Sequence, residues 1–365
     1  MTEQLFELAR RTFDTPAFRG IEFIEATCKT ILNRVPGSFL PFGWTINPYR
    51  GCTHACAYCF ARPTHTFLDM DAGRDFERRI VVKVNAPEVL RRQLASRRWK
   101  GETIAMGTNT DPYQRAEGRY LLMPPIIQAL TDFRNPFSIL TKGTLILRDL
   151  DRLVAAAAVT DVSTAFSIGT LDEDAWRRSE PGTPHPRERI EAVAALNGAG
   201  VPCGVLMAPV LPGITDDPRR LREVVRAAID AGATHVSPIL LHLRPGVREE
   251  FMPWLAEHYP DLVGRYEAMY TKPYAPPADR DRLSATVNGL VRSLGGTRGR
   301  PEAPARWRRG EEPSGPGAGE QLRLVEVDAS DTLRSDARHG ADPGAAGARY
   351  GDRPARPAAR AARGR

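Results

Sequence analysis

Short runs rich in β-branched and apolar residues recur through the middle of the chain: GWTIN (43–47), RIVVKV (79–84), TIAMG (103–107), FSILT (137–141), VSTAFSI (162–168), CGVLMAPV (203–210) and HVSPILL (235–241). Runs of this length and composition, bounded by turn-forming residues, predict strands. Between most of them lie segments with apolar positions three and four apart, which predict helices. These are APEVLRRQLASR (86–97), LMPPIIQALTDF (122–133), LRDLDRLVAAAA (147–158), RERIEAVAALNGAG (187–200) and PRRLREVVRAAIDAGA (218–233). Gly200 and Gly232 stand where helices commonly end. The later strands start roughly 25–40 residues apart, the spacing of successive βα units on a parallel sheet. That order fits either a barrel or a doubly wound sheet, and periodicity does not separate the two.

Outside this region the pattern changes. Residues 1–40 are expected to form an N-terminal extension that caps the core or contacts a partner. Residues 41–241 hold the strands and helices, and 242–296 read as a helical, aromatic cover for an open side of the sheet. From 297 to 365 the chain is rich in Pro, Gly, Ala and Arg, a composition that cannot offset its ordering entropy by burying apolar surface. That tail is expected to be disordered, although QLRLVEV (321–327) has strand character.

Composition narrows the class. At 365 residues, 42% hydrophobic and 26% charged, the chain is expected to be globular. Its longest bland run, LVAAAAV (153–159), falls short of the roughly 18 apolar residues a membrane helix needs. The N-terminal MTEQLFELARRTF carries acids and arginines among its apolar positions, unlike a secretory signal, so a cytoplasmic location is expected. The net charge of +7 is uneven, with 14 Arg against 10 acids from Thr297 onward. A positive field favours polyanions, yet charge of this origin is weak evidence for a nucleic-acid partner.

Five cysteines are an odd number for a disulfide framework. Three of them, Cys52, Cys56 and Cys59, fall in NPYRGCTHACAYCFARP (47–63), while Cys28 and Cys203 stand alone and read as inert. Cys-x3-Cys-x2-Cys offers three thiolates from one loop. Thiolates suit a [4Fe–4S] cluster, and three of them leave one iron open to a small molecule. Zinc is the alternative, with His54 or His65 as fourth ligand, though His54 lies between two ligands on a very short loop. Asn47, Pro48 and Gly51 permit an irregular loop, and Tyr58 and Phe60 can shield a cluster from water.

The triplet, with Tyr58 just before its last cysteine, resembles the radical S-adenosylmethionine (SAM) enzymes. The longer string is similar to the branch related to spore photoproduct lyase. GTNTDPYQRAEGRY (107–120), ILTKG (139–143), TAFSIG (164–169), EPGTPHPRERIEAV (180–193) and MAPVLPGITD (207–216) match that branch in order, so the resemblance covers about Thr45 to Leu241. It implies an α/β fold, a partial (βα)6 TIM-like barrel of radical SAM type. It also implies a [4Fe–4S] cluster on Cys52, Cys56 and Cys59, and SAM as the second cofactor. Reductive cleavage of SAM then yields a 5′-deoxyadenosyl radical that acts on an unidentified substrate, with a flavodoxin or ferredoxin as electron donor.

By the same resemblance, Thr108, Asn109 and Asp111 face the methionyl amino group and Lys142 the methionyl carboxylate. Ser167, on one strand face with Ser163, contacts the ribose, and Ala208, Pro209 and Val210 brace the adenine. Glu180, His185 and Arg187 are polar candidates on a loop leading into a helix. Two departures bear on the reaction. The branch's hydrogen-donor cysteine has Thr108 as its nearest counterpart here, and Phe60 stands where an aromatic hydroxyl follows the cluster. DNA photoproduct repair is therefore the alternative reading, beside a non-catalytic iron–sulfur or zinc protein.

Overall fold

A computed structural model describes residues 9–35 and 40–296. The tail from 297 onward, QLRLVEV included, lies outside the described residues. Among the described residues the strands are β1 (Ala9–Arg11), β2 (Glu22–Ala26), β3 (Leu32–Arg34), β4 (Trp44–Ile46), β5 (Tyr49–Arg50), β6 (Arg79–Lys83), β7 (Ile104–Met106), β8 (Phe137–Thr141), β9 (Val162–Ser167), β10 (Cys203–Val210) and β11 (Val236–Leu240). The helices are α1 (Arg74–Arg78), α2 (Ala86–Leu94), α3 (Glu117–Tyr120), α4 (Met123–Asp132), α5 (Leu150–Ala157), α6 (Glu173–Ser179), α7 (Pro186–Gly198), α8 (Pro218–Asp230), α9 (Arg248–His258), α10 (Val263–Met269) and α11 (Pro277–Ser293).

β4, β7, β8, β9, β10 and β11 lie side by side in sequence order, each parallel to the next. This is the order of a partial (βα)6 arrangement, which the resemblance implies. Parallel strands covered on both faces must be apolar nearly throughout. Accordingly Ile104, Ala105 and Met106 of β7 are all buried. Helices reach the sheet through one stripe each, as Val89 and Leu90 of α2 and Leu221, Val224 and Val225 of α8 show.

One strand falls outside the main sheet. RIVVKV forms β6, which belongs to a second sheet of order β1-β2-β6-β5. Within the N-terminal stretch, β2 runs parallel to β6 and β3 pairs antiparallel with β4 at the edge of the main sheet. Alternation within six residues says that a strand exists, not which sheet accepts it.

The expected cover is helical, with α9, α10 and α11 following β11, and α11 packs on β11 and α8. The hydrogen-bonded order does not rejoin from β11 to β3. At the carboxyl rim, however, the loops after the first and last parallel strands touch. A Cβ built on Gly246 would lie 2.6 Å from Cγ of Pro63. Among the described residues no helix is long and apolar enough to cross a membrane.

Candidate functional site

The cysteine loop leaves the main sheet after Ile46 and is caught at once by the second sheet. Tyr49 pairs with Val82 and Arg50 with Val81, the Lys83 amide donates to the Pro48 carbonyl at 3.0 Å, and the Cys52 amide donates to the Phe76 carbonyl at 2.9 Å. Gly51 has φ +82°, and a Cβ there would sit 2.8 Å from both the Phe76 carbonyl oxygen and Cε1 of His65, so no larger residue fits. Cys52 and Cys56 are buried, Cys59 is half-buried, and all three are free thiols.

Two more segments clamp the loop. From GTNTDPYQ, the Thr110 hydroxyl and the Gln114 side-chain amide donate to the Gly51 carbonyl at 2.7 and 2.9 Å, and Gln114 Oε1 accepts the Thr53 amide at 3.0 Å. From the opposite side, the Ala57 amide donates to the Ser179 carbonyl at 3.0 Å and the Gly182 amide to the His54 carbonyl at 3.1 Å. A Cβ on Gly182 would lie 2.2 Å from the Thr53 carbonyl oxygen. Gly182→Ala is expected to push the two loops apart and to cost about 1–3 kcal/mol, as overpacking does. Chemical denaturation measures the cost, and a variant as stable as the parent would sink the close-packing account.

The predicted residues mostly converge. Lys142, at the carboxyl end of β8, donates from Nζ to Ser167 Oγ at 2.9 Å, and its ammonium lies 5.6 Å from the Tyr58 ring centroid. Ser167 donates in turn to the Ala208 carbonyl at 2.6 Å. Strands β8, β9 and β10 thus bring Lys142, Ser167 and Ala208 together beside the ring of Tyr58, whose hydroxyl donates to Glu180. Glu180 accepts from Arg189 at 2.5 Å, and Arg189 also donates to the Ser167 and Pro184 carbonyls and the Thr183 hydroxyl.

Thr108 and Asn109 gather on Asn47, whose side-chain carbonyl accepts both the Thr108 hydroxyl (3.3 Å) and the Asn109 amide (3.2 Å). Asp111 is spoken for: it accepts the Thr141 hydroxyl at 2.6 Å and the amides of Tyr113 and Lys142 at 2.8 and 2.6 Å, with His54 Nδ1 at 3.4 Å. His185 caps α7 by accepting the Arg187 amide at 3.2 Å, and Arg187 is exposed. Of the histidines considered for zinc, His54 faces Asp111, and His65 Nε2 lies 3.0 Å from the Arg79 carbonyl oxygen. Among the described residues no three His, Cys, Asp or Glu side chains converge on one ion-sized point. Cys28 and Cys203 are also buried: the Cys28 amide donates to Asn85 Oδ1 at 2.9 Å, and Cys203 opens β10 at its amino end.

Arg189 was not anticipated. Its signal is positional, since it occupies the buried stripe of α7 with Pro186, Ala192, Val193 and Leu196, where an apolar residue belongs. Gln114, too, carried no marker beyond its place in the DPYQ string.

Charge in the site is balanced by contact. Burial pushes the Cys56 thiol up to about 12 and raises Cys52 and Cys59 as well. Burial also opposes charge on Asp111, but the His54 imidazole and the hydrogen bonds from Thr141 and Lys142 outweigh it and pull the carboxyl down to about 2. At Glu180 burial is likewise outweighed, by the Arg189 guanidinium and the Lys142 ammonium, leaving its pKa below the usual carboxylate value.

Known proteins resemble this one along most of the described region. Residues 46–237 match the family model described as the radical SAM superfamily. An uncharacterised protein of Mycobacterium tuberculosis is 49% identical over 283 residues, 77% of this chain and 83% of that protein. An uncharacterised protein of Methanocaldococcus jannaschii is 28% identical over 198 residues, 54% of this chain and 70% of its own. A radical SAM Nalpha-GlyT isomerase of Pseudomonas phage M6 is 26% identical over 245 residues, 63% of this chain and 48% of its own. Among solved structures, spore photoproduct lyase complexed with a dinucleoside spore photoproduct superposes with a TM-score of 0.54 at 16% identity, over 75% of this chain and 79% of that one. A family model spanning more than half the chain, on a sheet of six parallel strands, leads to one conclusion: the protein belongs to the radical SAM superfamily and is an enzyme of radical chemistry.

Proposed function

We propose that Cys52, Cys56 and Cys59 hold a [4Fe–4S] cluster and that Lys142, Ser167, Ala208, Tyr58, Thr108 and Asn109 hold SAM against it. The donor set fits. Thiols whose burial disfavours the bare thiolate accept ionisation only beside a strong cationic charge, which cluster irons would supply. When bound, the reduced cluster supplies one electron that splits SAM into methionine and a 5′-deoxyadenosyl radical. The observation that carries this reading is the Lys142 ammonium, set on Ser167 Oγ at 2.9 Å and 5.6 Å from the ring centroid of Tyr58, the residue before Cys59.

In this reading Lys142 binds the methionyl carboxylate as a point charge. Ser167 exchanges Lys142 for a ribose hydroxyl, the backbone at Ala208 to Val210 braces the adenine, and the Tyr58 ring excludes water. Thr108 and Asn109 offer polar groups to the methionyl amino group. Asp111 acts at one remove: its oxygens already accept three hydrogen bonds and face His54, so it positions the Lys142 backbone. A flavodoxin or ferredoxin as reductant and a reducing, cytoplasmic setting complete the proposal. Thr108 and Phe60 carry neither a thiol nor a phenol, which weighs against quenching a substrate radical as photoproduct repair requires.

The test is anaerobic reconstitution with iron and sulfide, followed by assay of 5′-deoxyadenosine after SAM and dithionite are added. Formation of 5′-deoxyadenosine supports the reading. A protein that takes up only zinc, or assembles a cluster and leaves SAM intact, sinks it. Lys142→Met is expected to weaken SAM binding about 10–100-fold, the worth of a charge-assisted hydrogen bond, with iron content unchanged. Calorimetric titration of SAM into the loaded variant reads this directly, and an unaltered affinity would remove Lys142 from the site.

A further inference from the structure

Where the loop after β11 meets the cysteine loop, a group of cationic and aromatic side chains has no role in the chemistry above. His242 follows β11 at its carboxyl end, the end of parallel sheets at which ligands bind. It bridges to Tyr274 through the backbone, and their rings pack edge to face at 4.6 Å. The Leu243 amide donates to the Pro273 carbonyl at 2.8 Å, so the two segments are pinned together. The Arg244 guanidinium lies over the Tyr274 ring at 5.3 Å and donates to its hydroxyl, which holds the fork in place, and among the described residues its other donors have no hydrogen-bond partner. Two residues on, Gly246 abuts Pro63, four positions after Cys59.

Among the described residues no hydrogen bond or ion pair joins Arg244 or Arg280 to a carboxylate. Of the acids close in sequence, Glu249 accepts the Gly246 amide and Asp279 pairs with Arg282. Arg280 stands in the first turn of α11, just past Tyr274, its amide donating to the Pro276 carbonyl at 3.2 Å, and the basicity of His242 is lowered by burial, then by Arg244 and Arg280. Exposed guanidinium groups on the two segments that carry the paired rings of His242 and Tyr274 call for an anion. A carboxylate offers one charge and two oxygens, whereas a phosphate offers a second charge and a third oxygen for donors arriving from several directions.

We infer that Arg244, Arg280, His242 and Tyr274 form a subsite for a phosphate-class oxyanion of the substrate, at the rim beside the cysteine loop. The inference rests on the proposed radical chemistry only in calling the bound molecule a substrate. Inorganic pyrophosphate is the probe, titrated calorimetrically into the full-length protein. Binding is expected to weaken at least tenfold in Arg244→Ala and in Arg280→Ala, and less in Arg244→Lys, which keeps the charge and loses the fork. Competition by thymidine 5′-monophosphate assigns the subsite to a free nucleotide, and competition by the dinucleotide dTpdT to a phosphodiester. No pyrophosphate binding, equal binding by all variants, or equal competition by citrate overturns the inference. Cleavage of SAM without substrate is followed in the same preparations. Its failure in the parent protein would overturn the proposed function and leave the pyrophosphate result standing.

Discussion

Cys56→Ala is expected to abolish 5′-deoxyadenosine formation, by a factor of at least about 10³, while the chain remains folded. The two halves of that expectation have separate causes. Folding without iron gains little from this thiol, which is buried and makes one weak contact, 3.9 Å to the His54 carbonyl oxygen. Replacing it by the smaller alanine removes a sulfur atom from a loop held by backbone and side-chain bonds that do not involve it. In the proposed reading cluster assembly depends on it wholly, because Cys52 and Cys59 cannot supply a third thiolate, Cys203 opens β10 at its amino end and Cys28 is held on the Asn85 side chain. Iron and sulfide analysis after anaerobic reconstitution, beside the 5′-deoxyadenosine assay, checks both halves. A variant that still cleaves SAM would remove Cys56 from the ligand set. One that fails to fold would show that the loop depends on its side chains more than the bonding pattern allows.

Arg189→Met should be the most destabilising single change in the site, by about 3–5 kcal/mol. Arg189 is fully buried, and its loss leaves Glu180 ionised in the interior with the Tyr58 and Thr183 hydroxyls as its hydrogen-bond donors. It also strips donors from the Ser167 and Pro184 carbonyls. Met fills most of the volume, so the effect reads the lost charge and hydrogen bonds rather than a cavity. A double variant, Glu180→Gln with Arg189→Met, should lose less than the sum of the single changes, because the stranded carboxylate is gone. Urea denaturation of all three variants with no iron added measures the cycle. Strict additivity would mean that the two residues do not act as a pair.

The balance of what the chain disclosed beforehand follows from the range of the interactions. Six strands of the main sheet were legible because each is a short β-branched or apolar run, as IAM in 104–106 and CGVLMAPV in 203–210 are, set at the spacing of successive βα units. The second sheet was not, because RIVVKV looks the same whether its neighbour is β7 or β2. Lys142, Ser167 and Ala208 were legible only through the resemblance, being ordinary residues that three separate strands bring together. Asp111 was recognised as important by its place in GTNTDP, but the saturation of its carboxylate depends on Thr141 and His54, which are distant in sequence. Arg189 was hidden for the opposite reason. A charged residue on a helix is normally read as solvent-facing, and only its position on the buried stripe of α7 contradicts that reading.

The clamp on the cysteine loop has a consequence for how the protein is made. Tyr58 and Glu180 are 122 residues apart, so at synthesis rates of about 5–20 residues per second the loop leaves the ribosome roughly 6–24 s before its partner exists. Throughout that interval the three thiols sit on a nascent chain with neither α7 nor the Ser179 and Gly182 contacts to hold them. A metal ion or oxidant reaching them then meets flexible thiols rather than a formed pocket. For the proposed cluster, loading with iron and sulfide therefore belongs after translation has passed α7, and expression conditions that slow the ribosome between residues 60 and 190 lengthen the exposure.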